Sequence, residues 1–294
     1  MRIVSLLPSA TEIVCALGLD DELVAVTHEC DYPASVRGKP VVTSSVLGGD
    51  GSSAEIDRHI RRLLHEGSSI YALDAQRLQS LDPDLILTQE LCEVCAVSYP
   101  IVERAVRRLD AETQLVSLEP ESLADVYQNI KTVGDLTGRA GEAATVVDQL
   151  SARIRTVQEQ VRNRPPRPMV CLEWVDPLYN CGHWTPGLVQ LAGGEELLGT
   201  PNRPARPIDR RELIEARPEV VVVMACGFGL ERSLREVEQA DLPIEADAEL
   251  WVVDGNAYFS RPGPRLVDSV EILAGILHPD AVASPAAADA RRLR

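Results

Sequence analysis

The sequence predicts an α/β fold made of two related lobes with central, mainly parallel sheets and one long helix between them. Three observations predict it. Short β-branched or leucine-rich runs alternate with helical patterns along the chain, as they do where parallel strands are joined by crossover helices. The second half repeats features of the first in the same order. Between the halves lies a stretch with apolar residues at helical spacing, closed by two prolines.

Taken in order, the first half offers strand candidates at 2–7 (RIVSLL), 22–27 (ELVAVT), 84–88 (DLILT) and 114–118 (QLVSL). Between the first two, Ser9-Ala-Thr-Glu12 has the spacing of a capping box, which predicts a helix opening at Ser9 and running to Gly18. The second half offers 168–174 (PMVCLEW), 219–225 (EVVVVMA) and 250–254 (LWVVD). The repeat is carried by SLDPDLILTQELC (80–92) against EARPEVVVVMACG (215–227), and by LGLDDELVAV (17–26) against LAGGEELLG (191–199). The intervening stripe, Val147, Leu150, Ile154, Val157 and Val161, ends at Pro165-Pro166. About 25 residues at 1.5 Å each make a rod of about 37 Å, long enough to cross a domain. The alternative is an ordinary long surface helix. The expected division is an N-terminal lobe at 1–136, a linking helix at 137–165 and a C-terminal lobe at 166–294 with a tail prone to disorder.

A chain of 294 residues can bury one large core or two of ordinary size. Its formal charge of −16 would repel a polyphosphate, which argues against nucleic acid or an anionic membrane surface as partner. No run reaches the roughly 18 apolar residues of a membrane span. The opening MRIVSLLPSATE enters a strand directly, with no apolar stretch before a small-residue cleavage site. The chain as written therefore reads as cytoplasmic, and as periplasmic or extracellular if a leader has been removed. Seven cysteines, an odd number, suit thiols or metal ligands better than disulfides in a reducing compartment.

In parallel α/β sheets, ligands bind beyond the carboxyl ends of the strands. Four such ends carry the unusual residues. ELVAVT leads to His28, Cys30 and Tyr32; DLILT leads to Cys92 and Cys95; PMVCLEW leads to Tyr179, Cys181, His183 and Trp184; EVVVVMA leads to Cys226 and Phe228. With these edges facing each other, five of the seven cysteines would line one interlobe cleft. Cys15 and Cys171 read as small core residues. The Cys92-x-x-Cys95 spacing admits a metal clip, a redox pair or packing. A structural zinc site normally wants a second such pair, which the sequence lacks, so Cys30, Cys181 or Cys226 and His28 would have to complete a zinc or iron–sulfur site. Trp174, Tyr258 and Phe259 join the rings at strand ends, and a wall of rings suits a large, flat, largely apolar ligand. Arg261 completes the candidate ligand-binding set. Phosphate-loop, dinucleotide and nucleophile-elbow motifs are absent from the sequence, so no enzyme is expected.

These segments resemble a known family. SLLPSATEIVCALG, HECDYP, LDPDLILTQ, the linking helix, LVQLAGGEELL and AYFSRPGPRLVDSVEIL together resemble the helical-backbone (class III) solute-binding proteins of ABC importers, and are most similar to the vitamin B12-binding branch. The resemblance covers nearly the whole chain. It implies two Rossmann-like lobes with a corrinoid held flat between them, with Tyr32, Tyr179 and Tyr258 as pocket residues. It also implies a permease partner, met by one surface glutamate per lobe. At those positions this sequence has Gln76 and Ser260, and Glu55 could substitute only if 44–79 is aligned with a large insertion. The cleft cysteines lie outside the family's B12-binding pattern. The expectation is a binding protein for cobalamin or a related metal-centred macrocycle, with His28, His183 or a thiol as candidates to approach the metal; the alternative is a metal or iron–sulfur protein using the cysteines.

Overall fold

The computed structural model of the chain describes residues 1–46, 51–65, 70–89, 99–106 and 113–294. It divides into two units, one comprising 1–51, 55–119 and 127–147, the other 52–54, 120–126 and 148–294.

The first unit begins with β1 (Ile3–Ser5), α1 (Pro8–Ala16) and β2 (Leu23–Ala25), followed by β3 (Thr43–Ser45), α2 (Ser53–His65), β4 (Tyr71–Leu73) and α3 (Ala75–Ser80). Next come β5 (Leu85–Thr88), α4 (Tyr99–Val106), β6 (Gln114–Ser117), α5 (Leu123–Thr137) and α6 (Ala140–Val161). The main sheet is parallel in the order β2-β1-β5-β6, and β3 and β4 form a small antiparallel pair. Its core joins Val4, Leu6, Ala25 and Ile86 to Leu78, Val102 and Ala105 from the helices.

The expected capping box does not form. The cap falls two residues earlier, at Leu7, with Pro8 in the first turn, so Ser9 and Glu12 lie inside α1 and are buried. Proline supplies the helical φ and lacks the N–H that would need a cap, so it displaces the serine signal. The far end ends as glycine allows. Gly18 sits at φ +70°, its N–H donates to Cys15 O at 2.9 Å, and the Leu19 N–H donates to Val14 O at 3.1 Å. This pair of bonds closes the last turn and needs a left-handed residue.

The second unit contains β7 (Arg167–Val175), β8 (Leu178–Asn180), α7 (Thr185–Leu191), β9 (Gly194–Glu196), α8 (Arg210–Ala216) and β10 (Val220–Val223). It continues through α9 (Leu230–Gln239), β11 (Glu249–Val253), a π-helical turn (Gly255–Phe259), α10 (Leu266–Leu277) and β12 (Ala290–Arg292). Parallel β10 stands between β7 and β11, and parallel β9 pairs with β7. The run β9-β7-β10-β11 thus repeats the order β2-β1-β5-β6, and the sequence echoes map onto it: β5 answers β10, and β2 answers β9. A left-handed glycine, Gly18 or Gly193, precedes the short strand in each copy. Val170, Leu172, Val221, Val223 and Val252 pack on Leu213, Leu230, Leu234 and Val237. The alternate residues Met169, Cys171, Val220 and Val222 are also fully buried. Burial on both faces explains why β10 reads as four consecutive valines instead of an alternating pattern.

The predicted stripe Val147, Leu150, Ile154, Val157 and Val161 lies on α6 and is buried throughout, and the boundary between the units falls within this helix. Arg153 ties α6 to α10 through Asp268 and Glu271. The tail, expected to be prone to disorder, instead adds β12 antiparallel to β11, Trp251 opposite Arg292. Among the described residues, no helix is long and apolar enough to cross a membrane.

Candidate functional site

The carboxyl edge of the second unit's sheet gathers most of the ring-bearing residues. Trp174, one residue before the end of β7, faces Tyr179 on β8 as its cross-strand partner. The Trp174 indole N–H is shared between the carbonyls of Ser53 (3.2 Å) and Asp176 (3.1 Å), which fixes the ring's orientation. Phe228, in the turn after β10, lies against Trp174 with centroids 4.9 Å apart and planes tilted by 50°. The Arg232 guanidinium, in the first turn of α9, stands 3.8 Å above the Phe228 ring. That cation is held by the ring's negative face, so Phe228 is clamped between an indole and a charge.

The segment after β8 adds a second pair. His183 stacks on Trp184 at 5.6 Å and 27°, and the Trp184 indole N–H donates to Phe259 O at 2.9 Å. His183 is held below the usual imidazole range by burial, with Glu121 opposing the shift. The π-helical turn after β11 supplies Tyr258, whose hydroxyl donates to Asp289 at 2.7 Å, and whose ionisation is suppressed by burial and by that carboxylate. Trp174, Tyr179, His183, Trp184 and Tyr258 are half-buried. Phe259 differs: it was expected to present its ring, yet it is buried and meets Trp184 through its carbonyl. Arg261 is buried as well and donates to Asn256 Oδ1 at 3.0 Å.

In the first unit, the chain leaving β2 carries His28, Cys30 and Tyr32. His28 Nδ1 lies 2.7 Å from Thr43 Oγ1, its Nε2 is 3.3 Å from the Glu29 carboxylate, and Tyr71 meets the ring edge-on at 5.3 Å. The Cys30 thiol is in hydrogen-bond range of Thr11 (3.1 Å) and Thr27 (3.3 Å). Tyr32 is 48% exposed. β5 ends at Thr88 and the buried Gln89; Cys92 and Cys95 lie outside the described residues.

The cysteines part company. Cys226 is exposed after β10, whereas Cys181, expected at a cleft wall, is fully buried beside Cys171. A position just past a strand end does not say which way a side chain turns, and β8 turns this one inward. Among the described residues, the group of His, Cys, Asp or Glu side chains close enough to share an ion is Cys171, Cys181 and Glu196; Cys30, Cys226 and His28 do not enter it.

Sequence reasoning missed Glu173 and Arg232. Glu173 sits between Leu172 and Trp174 on β7, and its carboxylate accepts the Gly182 N–H at 2.9 Å while its carbonyl accepts the Cys226 N–H at 3.0 Å. It therefore braces both ring-bearing segments. An acidic residue inside an otherwise apolar strand was the available signal. Of the expected docking positions, Gln76 is exposed on α3 and Glu55 is exposed on α2, while the Ser260 hydroxyl is engaged with Gly255 O (2.9 Å) and the Gly227 N–H (3.2 Å). A shallow groove beside the end of α6, lined by Gln158, Arg162, Gln190 and Leu191, contains none of these rings.

The sequence pattern of a family described as periplasmic binding protein matches residues 3–242. The vitamin B12-binding protein of Yersinia pestis (strain Pestoides F) is 22% identical over 276 residues, covering 90% of this chain and 82% of that protein. The crystal structure of the periplasmic vitamin B12-binding protein of Vibrio cholerae is similar with a TM-score of 0.69 at 20% identity, covering 95% of this chain and 96% of that one. A periplasmic heme-binding protein from Pseudomonas aeruginosa is similar with a TM-score of 0.71 at 21% identity, covering 97% and 95%. At these identities the structural likeness concerns the fold. The cytoplasmic reading finds no support in these relatives, and the iron–sulfur reading finds none either.

Proposed function

Because the chain belongs to the periplasmic binding protein family, whose members bind small molecules and work with ABC permeases, we propose that it is the solute receptor for a flat, metal-centred macrocycle, with a corrinoid as the leading ligand. The observation that carries this reading is the set of half-buried rings, Trp174, Tyr179, Trp184 and Tyr258, at one sheet edge with the Phe228–Arg232 stack behind them. Rings held by their N–H and O–H groups present rigid apolar surface and lose little freedom when a ligand settles on them. Two of the similar proteins are named for vitamin B12 and one for heme, both flat macrocycles around a metal. In this proposal the carboxyl edge of the second lobe meets the ligand, and the protein works outside the cytoplasm; Tyr32, on the chain leaving β2, is a candidate ligand contact of the first lobe. His183, kept neutral by burial, is the imidazole suited to approach the metal, since a neutral ring nitrogen is the ligating form. Cys30, Cys92, Cys95 and Cys226 are assigned no part in it.

The test titrates purified protein with cyanocobalamin and, separately, hemin, reading the visible spectrum and tryptophan fluorescence. One-to-one uptake of cyanocobalamin is expected, and Trp174→Ala is expected to weaken it about tenfold, which corresponds to about 1.4 kcal/mol. Uptake of hemin alone, with a Soret shift lost in His183→Ala, would move the assignment to heme. No spectral change with either ligand at micromolar concentration would overturn the reading.

A further inference from the structure

β7 has a divided flank. One side pairs with β10, from Met169 to Leu172. The other is covered by two short strands in succession, β9 against Arg167–Met169 and β8 against Leu172–Val175. Cys171 falls at the seam between them. Its N–H has no strand carbonyl to meet and donates to Glu196 Oε2 at 2.9 Å, while Glu196 Oε1 accepts the N–H groups of Leu198 (3.1 Å) and Gly199 (3.0 Å). Glu196 thus fills the gap in the ladder with a carboxylate. One residue beyond the pair Leu172↔Asn180, the antiparallel register brings Cys181 opposite Cys171. The two Sγ atoms and a Glu196 oxygen lie within 4.8 Å of one another, and both cysteines are 0% exposed.

Soft thiolates beside a carboxylate could hold a thiophilic cation, but a structural zinc site takes four ligands and only three are here. Both Glu196 oxygens are also occupied by backbone N–H groups. Packing leaves little room: a Cβ on Gly199 would stand 2.5 Å from Cys181 Sγ. A disulfide needs only the two sulfurs and a Cα separation of about 4.4–6.8 Å. Directly opposed antiparallel partners stand about 4.5–5.5 Å apart between Cα atoms, inside that range, and Cys171 spends its N–H on Glu196 instead of across the pair.

We propose that Cys171 and Cys181 are a cross-strand disulfide site that staples the hairpin carrying Trp174 and Tyr179. Each thiol loses its hydrogen, one S–S bond forms, and the two electrons and two protons pass to a low-molecular-weight disulfide such as oxidised glutathione, which leaves as two thiols. Burial in the folded protein places this step in folding, before the hairpin closes, and shields the bond afterwards. An extracytoplasmic location would preserve it, but the pairing itself does not depend on that location.

The full chain is isolated without reductant, and a second sample is refolded in a glutathione redox buffer. Free thiols in both are blocked with a maleimide in denaturant before tryptic digestion and mass analysis. No Lys or Arg separates Cys171 from Cys181, so one peptide carries both. After refolding it is expected two hydrogens lighter and free of maleimide, with the urea midpoint of the oxidised protein above that of the reduced one. In Cys171→Ser, Cys181 is expected to take the label. Maleimide on both cysteines after refolding, a link from Cys181 to another cysteine, or one equivalent of zinc retained on intact thiols would each overturn the proposal. A bond formed in the redox buffer but absent from protein taken from cells would uphold the pairing and count against the extracytoplasmic reading alone.

Discussion

Gly182→Ala is expected to destabilise the second unit by about 1–3 kcal/mol, the usual cost of forcing extra volume into a packed site. A Cβ at Gly182 would stand 2.2 Å from Ala205 N and 2.6 Å from Arg203 O, and both obstacles are backbone that no rotamer change can clear. The segment is also pinned: Gly182 N–H donates to Glu173, His183 N–H donates to Arg203 O at 2.6 Å, and Asn202 N–H donates to His183 O at 3.0 Å. Relieving the clash therefore displaces His183 and Trp184, and ligand affinity is expected to fall with stability. Gly187→Ala is the matched control, since a Cβ there meets nothing within 4 Å and the residue lies inside α7. Alanine in a helix interior is better than glycine by up to about 1 kcal/mol, so this variant is expected to gain. Urea unfolding of the two variants measures both signs, and equal midpoints would refute the packing account.

Glu173→Gln is expected to stabilise the protein above neutral pH by up to about 3 kcal/mol and to lose that advantage in acid. Burial pushes the Glu173 carboxyl from 4.5 up to about 7, the Gly182 N–H opposing and the charge of Glu196 adding to the rise. Between these values the folded protein keeps a proton that the unfolded chain has released. Stability therefore declines as pH rises from about 4.5 to about 7 and is level above that, at about 1.4 kcal/mol per pH unit of separation. Glutamine removes the charge and keeps an oxygen for the Gly182 N–H. The difference in unfolding free energy between the two proteins, measured at pH 8, 6.5 and 5, should shrink in that order. A difference independent of pH would show that the carboxyl does not titrate in this window.

The repeat of the two halves was legible because each copy preserves proline, acid and an apolar run ahead of a central strand, and chain order alone sets which strands become neighbours. The seven long strand candidates all appear. The short strands β3, β4, β8 and β12 left no signal, because three residues without a six-residue apolar run around them, such as marks β1 and β2, display no period, and β9 showed only through the echo of LGLDDELVAV in LAGGEELLG. Rings after strand ends were also legible: Trp174, Tyr179, Trp184 and Tyr258 follow from the rule that parallel sheets use their carboxyl edges. Direction was not. Phe259 and Cys181 share the positional signal of their neighbours, yet both turn inward. Arg232 carries no signal of its own, since only the turn after β10 decides that α9 brings it over Phe228.

By itself, then, the sequence determined the α/β class, the doubled topology, the apolar stripe of the long helix and the edge on which rings collect. These are periodic or positional properties, written in residue spacing. Only the tertiary structure decided which side chains at that edge stay accessible, that Glu173 braces it, and that Cys171 faces Cys181 across a seam in the sheet. Such facts depend on where short, non-periodic strands dock against β7, a balance of packing and backbone hydrogen bonding between residues distant in the chain, which no local pattern records.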